Sequence, residues 1–167
     1  MSGLVNLGSR LPRRWKRLFF RTMSLYPPYL GAGIRVARIS EDLLTFEVHA
    51  TLRFWNKNYV GTQFGGSLYA MCDPFFMLIL MEALGPGYVV WDKAASIRFR
   101  RPGRGPVRAT FHVPAERVEE IRRAADSSSK VQPVFRVEVV DGTGEVVAEV
   151  EKTLHVRRRE PPLTPGE

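Results

Sequence analysis

Phe64-Gly65-Gly66-Ser67-Leu68-Tyr69-Ala70-Met71-Cys72-Asp73-Pro74-Phe75-Phe76-Met77-Leu78-Ile79-Leu80-Met81-Glu82-Ala83-Leu84 is the stretch on which the fold turns. From Leu68 to Leu84 it is almost continuously apolar, and Asp73-Pro74 interrupts it near the middle. Its 17 residues lie at the lower limit for a membrane span. An Asp in hydrocarbon is also costly. The alternative is a helix apolar on every side because protein surrounds it, and we adopt that reading.

The flanking sequence supplies the material to surround it. Leu44, Phe46, Val48, Ala50 and Leu52 alternate with polar residues, as do Ala95, Ile97 and Phe99, and Val107, Ala109, Phe111 and Val113. Phe135, Val137 and Val139 lead through the turn Asp141-Gly142-Thr143-Gly144 into Val146, Ala148, Val150, Leu154 and Val156. A period of two marks half-buried strands, and short links between them make the sheet mostly antiparallel. Ile34 and Val36 begin an earlier strand, and a short amphipathic helix follows Pro114. The expected fold class is α+β, a sheet curled around one long helix whose remaining apolar side needs a second subunit. Residues 1–29 form a separate basic amphipathic segment, 30–158 the domain, and 159–167 a loose tail with three prolines.

Asp73 is the leading candidate for chemistry. A carboxylate among apolar neighbours loses hydration, which favours its protonated form and makes it a better base. The structural alternative is an Asp that caps a backbone group or pairs with a Lys. Pro74 lends that some weight, because a proline frees the carbonyl four residues back. Gly65-Gly66-Ser67 opens the same helix. Glycines admit a ligand close to the backbone, and helix N-terminal N–H groups can hold a developing oxyanion. On an uninterrupted helix Asp73 lies about 10 Å along the axis from Gly66, at a rise near 1.5 Å per residue.

These residues carry a resemblance. Phe64-Gly65-Gly66, six further residues and Asp73 resemble the His-Gly-Gly…Asp motif of hot-dog acyl-CoA thioesterases, the type that includes phenylacetate-pathway thioesterases. Asn58 matches a family asparagine that lies in the active site, Ala95 to Gly103 resembles the strand and turn after the central helix, and Val146 to Val156 resembles the last strand. With Trp91-Asp92-Lys93 and Asp73-Pro74, the chain is similar to a branch whose members often lack an assigned substrate.

The resemblance implies a hot-dog fold over residues 30 to 158, hydrolysis of an acyl-CoA thioester, no cofactor and a homo-oligomer. It implies Asp73 as base on a water or as nucleophile, the Gly66 N–H as oxyanion donor, and Asn58 as a positioning group from the neighbouring subunit. Phe64, Gly65, Ser67 and Tyr69 then lie along the substrate. Asp92 falls near a polar position of the family site, although pairing with Lys93 is the simpler reading. Arg100, Arg101 and Arg104 flank a Pro-Gly turn where they can meet the coenzyme's phosphates, or they form a solvated set of charges. Phe64 departs from the family, which usually has histidine there, and phenylalanine cannot hydrogen-bond. A non-catalytic acyl-CoA binder is therefore the alternative function.

Composition narrows the rest. Lys and Arg outnumber Asp and Glu by 25 to 17, a net charge of +8 that suits polyanions, coenzyme phosphates and anionic membranes alike. No nucleic-acid motif accompanies the charge, so no nucleic-acid partner is expected. Cys72 is the single cysteine and cannot form an internal disulfide, and no signal peptide is visible, so the cytoplasm is expected. His49, His112 and His155 lack metal-ligand spacing. Residues 10–26 place Leu11, Trp15, Leu18 and Thr22 on one stripe beside Phe19, with six basic residues around it. This helix either touches a membrane surface or packs across the open side of the fold, and Pro27-Pro28 ends it.

Overall fold

Alternating apolar residues become strands at each place where the period of two recurs. The computed structural model describes residues 12–159. In it, β1 (Ile34–Ile39), β2 (Thr45–Ala50), β3 (Tyr88–Phe99), β4 (Val107–His112), β5 (Val134–Asp141) and β6 (Val146–Arg158) form one sheet in the order β1-β2-β4-β5-β6-β3. All five pairings are antiparallel. The inward face of β6 is Ala148, Val150, Lys152, Leu154 and Val156, and all five are buried.

The central stretch lies inside the curve of this sheet, giving the hot-dog arrangement. By length and composition Gly65–Leu84 could cross a membrane, but here it is the core helix: Leu68, Met71, Cys72, Phe75, Phe76, Ile79, Leu80 and Leu84 are all buried. Aromatic rings run through the core from end to end. Phe46 packs on Phe75 at 5.8 Å between centroids, Phe75 on Phe111 at 4.9 Å, and Phe76 on Phe135 at 4.8 Å. Such pairs contribute beyond the area they bury.

The helix is not continuous, which corrects the expectation from sequence. It consists of α3 (Gly65–Ala70) and α4 (Phe75–Leu84), separated by a turn at residues 71–74. Pro74 is the cause. It has no N–H to give the Ala70 carbonyl and would crowd that carbonyl in a regular helix. The freed Ala70 oxygen instead accepts from the Tyr29 hydroxyl at 3.3 Å. Asp73 therefore lies at a break between helices and not two turns inside one.

The N-terminal segment is also divided. Helix α1 (Arg13–Thr22) passes through a 3-10 turn (Met23–Leu25) into α2 (Pro27–Ala32). Pro27 and Pro28 start α2 as well as ending what precedes it, since proline is tolerated in a first helical turn. Gly33 closes α2 with φ 70°, where a side chain would also strike the Thr51 carbonyl. Helix α1 docks through Phe20, whose ring packs on Phe46 at 5.4 Å, and through Lys16, which pairs with Glu82 at 2.6 Å. The stripe of Trp15, Leu18 and Phe19 points outward and is exposed. Leu11 and the expected loose tail beyond Arg159 lie outside the described residues.

Helix α5 (Ala115–Ser127) covers the far end of α4. Its Arg122 donates to the Ala83 and Leu84 carbonyls at 2.8 and 3.2 Å, satisfying the C-terminus of α4.

Cys72 sits in the helix break with no exposed surface, and burial pushes its thiol up to about 12. A folded-state value above the ordinary one near 9 has a definite consequence for stability. The contribution of the neutral thiol is complete below about pH 9 and is lost as pH rises toward 12. Cys72 should thus resist alkylation at about pH 8 in the folded chain and react only in denaturant. Between about pH 9 and 12 the parent should lose stability relative to Cys72→Ala. Rapid labelling of the native chain would show that the thiol is not buried as described.

Candidate active site

The site is built where the helix break meets the last strand. Lys152 occupies an inward position of β6 and its side chain has no exposed surface. A buried ammonium needs anionic partners, since its desolvation is otherwise prohibitive. It has two. Lys152 Nζ donates to Asp73 Oδ1 at 2.9 Å and lies 3.1 Å from Asp92 Oδ1. The Asp92 contact is close but poorly aligned, and Asp92 Oδ1 is buried without a well-formed hydrogen bond. Asp92 lies opposite Leu154 in the β3–β6 ladder, so Lys152 is its diagonal neighbour, within reach of a long side chain. A β-bulge between Asp92 and Ala94 shifts the register at this point; bulges of this kind re-aim side chains beside sites.

Asp73 differs from the buried acid expected from sequence. Its side chain is 51% exposed, and its neighbours are polar. Tyr69, one turn earlier on α3, donates its hydroxyl to Asp73 Oδ1 at 3.0 Å. Both hydrogen bonds therefore converge on Oδ1, and Oδ2 has no partner among the described residues. The carboxylate is held by one oxygen and presents the other.

The charges around the cluster follow from this packing. Burial raises Asp92, and the hydrogen bond and charge of Lys152 oppose that rise. For Lys152, burial acts downward, but Asp73 and Asp92 outweigh it and its value ends up raised. Tyr69 is raised by burial and by its hydrogen bond to Asp73. Tyr29 is raised well beyond the ordinary tyrosine range, first by burial and then by the nearby negative charge of Asp73.

Gly65 and Gly66 begin α3, with Ser67 buried behind them. Their small size serves packing of rings. A Cβ on Gly66 would come within 2.5 Å of Phe64 Cε1, and one on Gly65 within 2.9 Å of Phe99 Cζ. Phe64 thus lies over Gly66, with its own outer face exposed.

The remaining candidates are occupied elsewhere. The Asn58 amide is used within its own loop, donating to Thr62 Oγ1 and the Gln63 carbonyl and accepting from the Thr62 N–H. Arg100 makes a two-pronged contact with Glu149 at 2.7 and 2.9 Å. Arg101 pairs with Asp141 at 2.7 Å and also with Glu145. Arg104 is exposed beside the turn. Asp92 pairs with Lys152 and not with Lys93.

Lys152 went unnoticed in the sequence, although a signal was there. It falls in register with Ala148, Val150, Leu154 and Val156, so the alternation puts a lysine on the inner face. No cluster of His, Cys, Asp and Glu able to hold a metal occurs among the described residues. Two cavities among the described residues do not include Asp73. One, of about 250 Å³, lies beside α1 near Lys16 and Glu82, and the other, of about 590 Å³, lies over the polar face of β3, β5 and β6. Asp73 instead opens onto the surface of the single chain.

Solved structures share this fold at low identity. The Pseudomonas aeruginosa protein PA5026, described as a probable thioesterase of unknown function, is 21% identical with a TM-score of 0.77, covering 89% of this chain and 97% of that one. The Haemophilus influenzae thioesterase HI1161 is 14% identical with a TM-score of 0.60, covering 86% and 92%. The Escherichia coli PaaI protein of the phenylacetic acid degradation operon is 19% identical with a TM-score of 0.57, covering 89% and 94%. These likenesses establish the hot-dog fold. No curated protein sequence matches the chain. A family model does match residues 15–156, and the chain belongs to that family, described as Domain of unknown function (DUF4442).

Proposed function

We propose that the chain hydrolyses an acyl-CoA thioester to the free acid and coenzyme A. The observation that carries this reading is the half-exposed Asp73 carboxylate, bound through Oδ1 and open at Oδ2. Oδ2 takes a proton from water as the water oxygen attacks the thioester carbonyl carbon. The carbonyl oxygen becomes negative and is received by the Gly66 N–H at the start of α3. The tetrahedral intermediate then expels the coenzyme's sulfur, which leaves with the proton held by Asp73. Ser67 and Tyr69 flank the acyl group, and Asn58 acts by holding the loop that leads into Gly65. The likeness to proteins described as thioesterases supports the same class of reaction. Acyl-CoA chemistry and a free Cys72 both suit the cytoplasm, where we place the chain.

The packing of Phe64 over Gly66 favours a second reading, in which the site binds acyl-CoA without hydrolysing it. Asp73→Asn decides between them. It keeps the shape and removes the base, so kcat should fall by about a hundredfold or more with acyl-CoA affinity nearly unchanged. Phe64→His should raise the rate. Undiminished hydrolysis by Asp73→Asn would refute the base, and binding without hydrolysis in every form would establish the second reading.

The site is completed by a second copy in this proposal. Strand β3 is a 12-residue sheet edge that carries exposed Trp91 and Phe99, and Phe54, Trp55, Tyr59 and Val60 are exposed in the loop before α3. A long edge with exposed apolar residues normally needs covering. Light scattering should show at least a homodimer at micromolar concentration, and a stable monomer would rule this out.

The outward stripe of α1, flanked by Arg14 and Arg21, fits an anionic membrane surface. The intact chain should bind anionic vesicles at low salt, with Trp15→Ala/Phe19→Ala weakening binding. Equal binding of parent and variant would remove α1 from that role.

A further inference from the structure

We propose that Lys152 is a positioning residue: its buried ammonium, clamped between Asp73 and Asp92, fixes the Asp73 carboxylate so that only Oδ2 faces substrate. This inference rests on the reading of Asp73 as the base.

Four observations lead to it. Lys152 has no exposed surface, yet the face of β6 that holds it is otherwise apolar. Replacing a buried ion pair by apolar residues is often neutral or stabilising, so packing alone does not call for a lysine here. Its two acids come from different elements, Asp73 from the helix break and Asp92 from β3 beside a bulge. Their Oδ1 atoms, each close to Nζ, are no more than about 6 Å apart. Two carboxylates at such a distance cannot both ionise freely without a cation between them. Finally, Lys152 Nζ lies 3.4 Å from the Tyr69 hydroxyl, which itself donates to the same Asp73 oxygen. The donors thus share one side of the carboxylate and leave the other side clear.

The groups around Asp73 complete the electrostatic picture. Tyr69 lies on α3, Cys72 in the break, Tyr29 on α2, Asp92 on β3 and Lys152 on β6. Both tyrosine hydroxyls and the thiol are held neutral by burial first. Lys152 is then the one cation among these groups, and removing it leaves two carboxyls within about 6 Å of each other with no positive charge between them.

Lys152→Met tests the role. With an acyl-CoA substrate, kcat should fall at least tenfold while KM stays within about threefold. The acidic limb of the kcat/KM profile should move up by about one pH unit or more, whereas Lys152→Arg, which keeps the charge, should retain the parent's limb. Where Lys152→Met alone does not fold, Lys152→Met/Asp92→Asn removes the buried ammonium together with its half-buried counter-charge and should fold and show the same loss of kcat. A second measurement needs no turnover. Carbon-13 NMR of labelled Asp carboxyls in the full chain should show the Asp92 carboxyl titrating higher in Lys152→Met than in the parent, because the hydrogen bond and charge that hold it down are gone. Unchanged titration, or an unchanged kcat and acidic limb beside an inactive Asp73→Asn, would overturn the role of Lys152 and leave the base standing. An active Asp73→Asn would remove the base itself.

Discussion

Everything in the site depends on a lysine that water cannot reach. Lys152 Nζ is enclosed by the sheet and the core helix, and its charge survives there only because Asp73 and Asp92 meet it. The constraint works in both directions. Without the lysine, the buried Oδ1 of half-buried Asp92 would have no counter-charge, and Asp73 would lose one of the two bonds that orient it. The three residues come from the helix break, β3 and β6, so they assemble only when the sheet has closed around the helix. Fold and site are therefore one construction.

The break in the central helix is the second half of that construction. Pro74 opens the turn, Tyr29 satisfies the carbonyl that the proline abandons, and the carboxylate reaches a surface. The cost is a long apolar helix divided into two short ones, and the aromatic column of Phe46, Phe75, Phe111, Phe76 and Phe135 holds α4 in place regardless. The result is a carboxylate held through one oxygen by Lys152 and Tyr69 and half-exposed to solvent.

Much of this was legible before any coordinates. The period of two located the strands because half-buried strands must alternate, and the apolar run located the core helix because nothing but protein or lipid can surround it. The break was half-legible: Pro74 announced a loosened turn, but its consequence for Asp73 depended on Tyr29, 44 residues earlier in the chain. Lys152 stands in the inward register of Ala148, Val150, Leu154 and Val156, so the alternation alone marks it, but its partners Asp73 and Asp92 lie far away in the sequence. Asp92 was matched to its sequence neighbour Lys93, and the true partner comes from the adjacent strand through a shifted register that local sequence does not encode. The outward stripe on α1 was visible as amphipathicity, but which face docks was decided by Phe20 meeting Phe46.

We propose that Asp73 activates water through its free oxygen and forms no covalent bond to the acyl group. A single turnover in oxygen-18 water, with enzyme in excess over acyl-CoA, reports on this directly. Base catalysis puts the label into the released acid and none into the protein, and protein quenched during the turnover carries no acyl group on Asp73. Label appearing in the Asp73 carboxylate, read by mass spectrometry of the peptide that contains it, would contradict the claim, because only attack by Asp73 followed by hydrolysis of an anhydride puts it there.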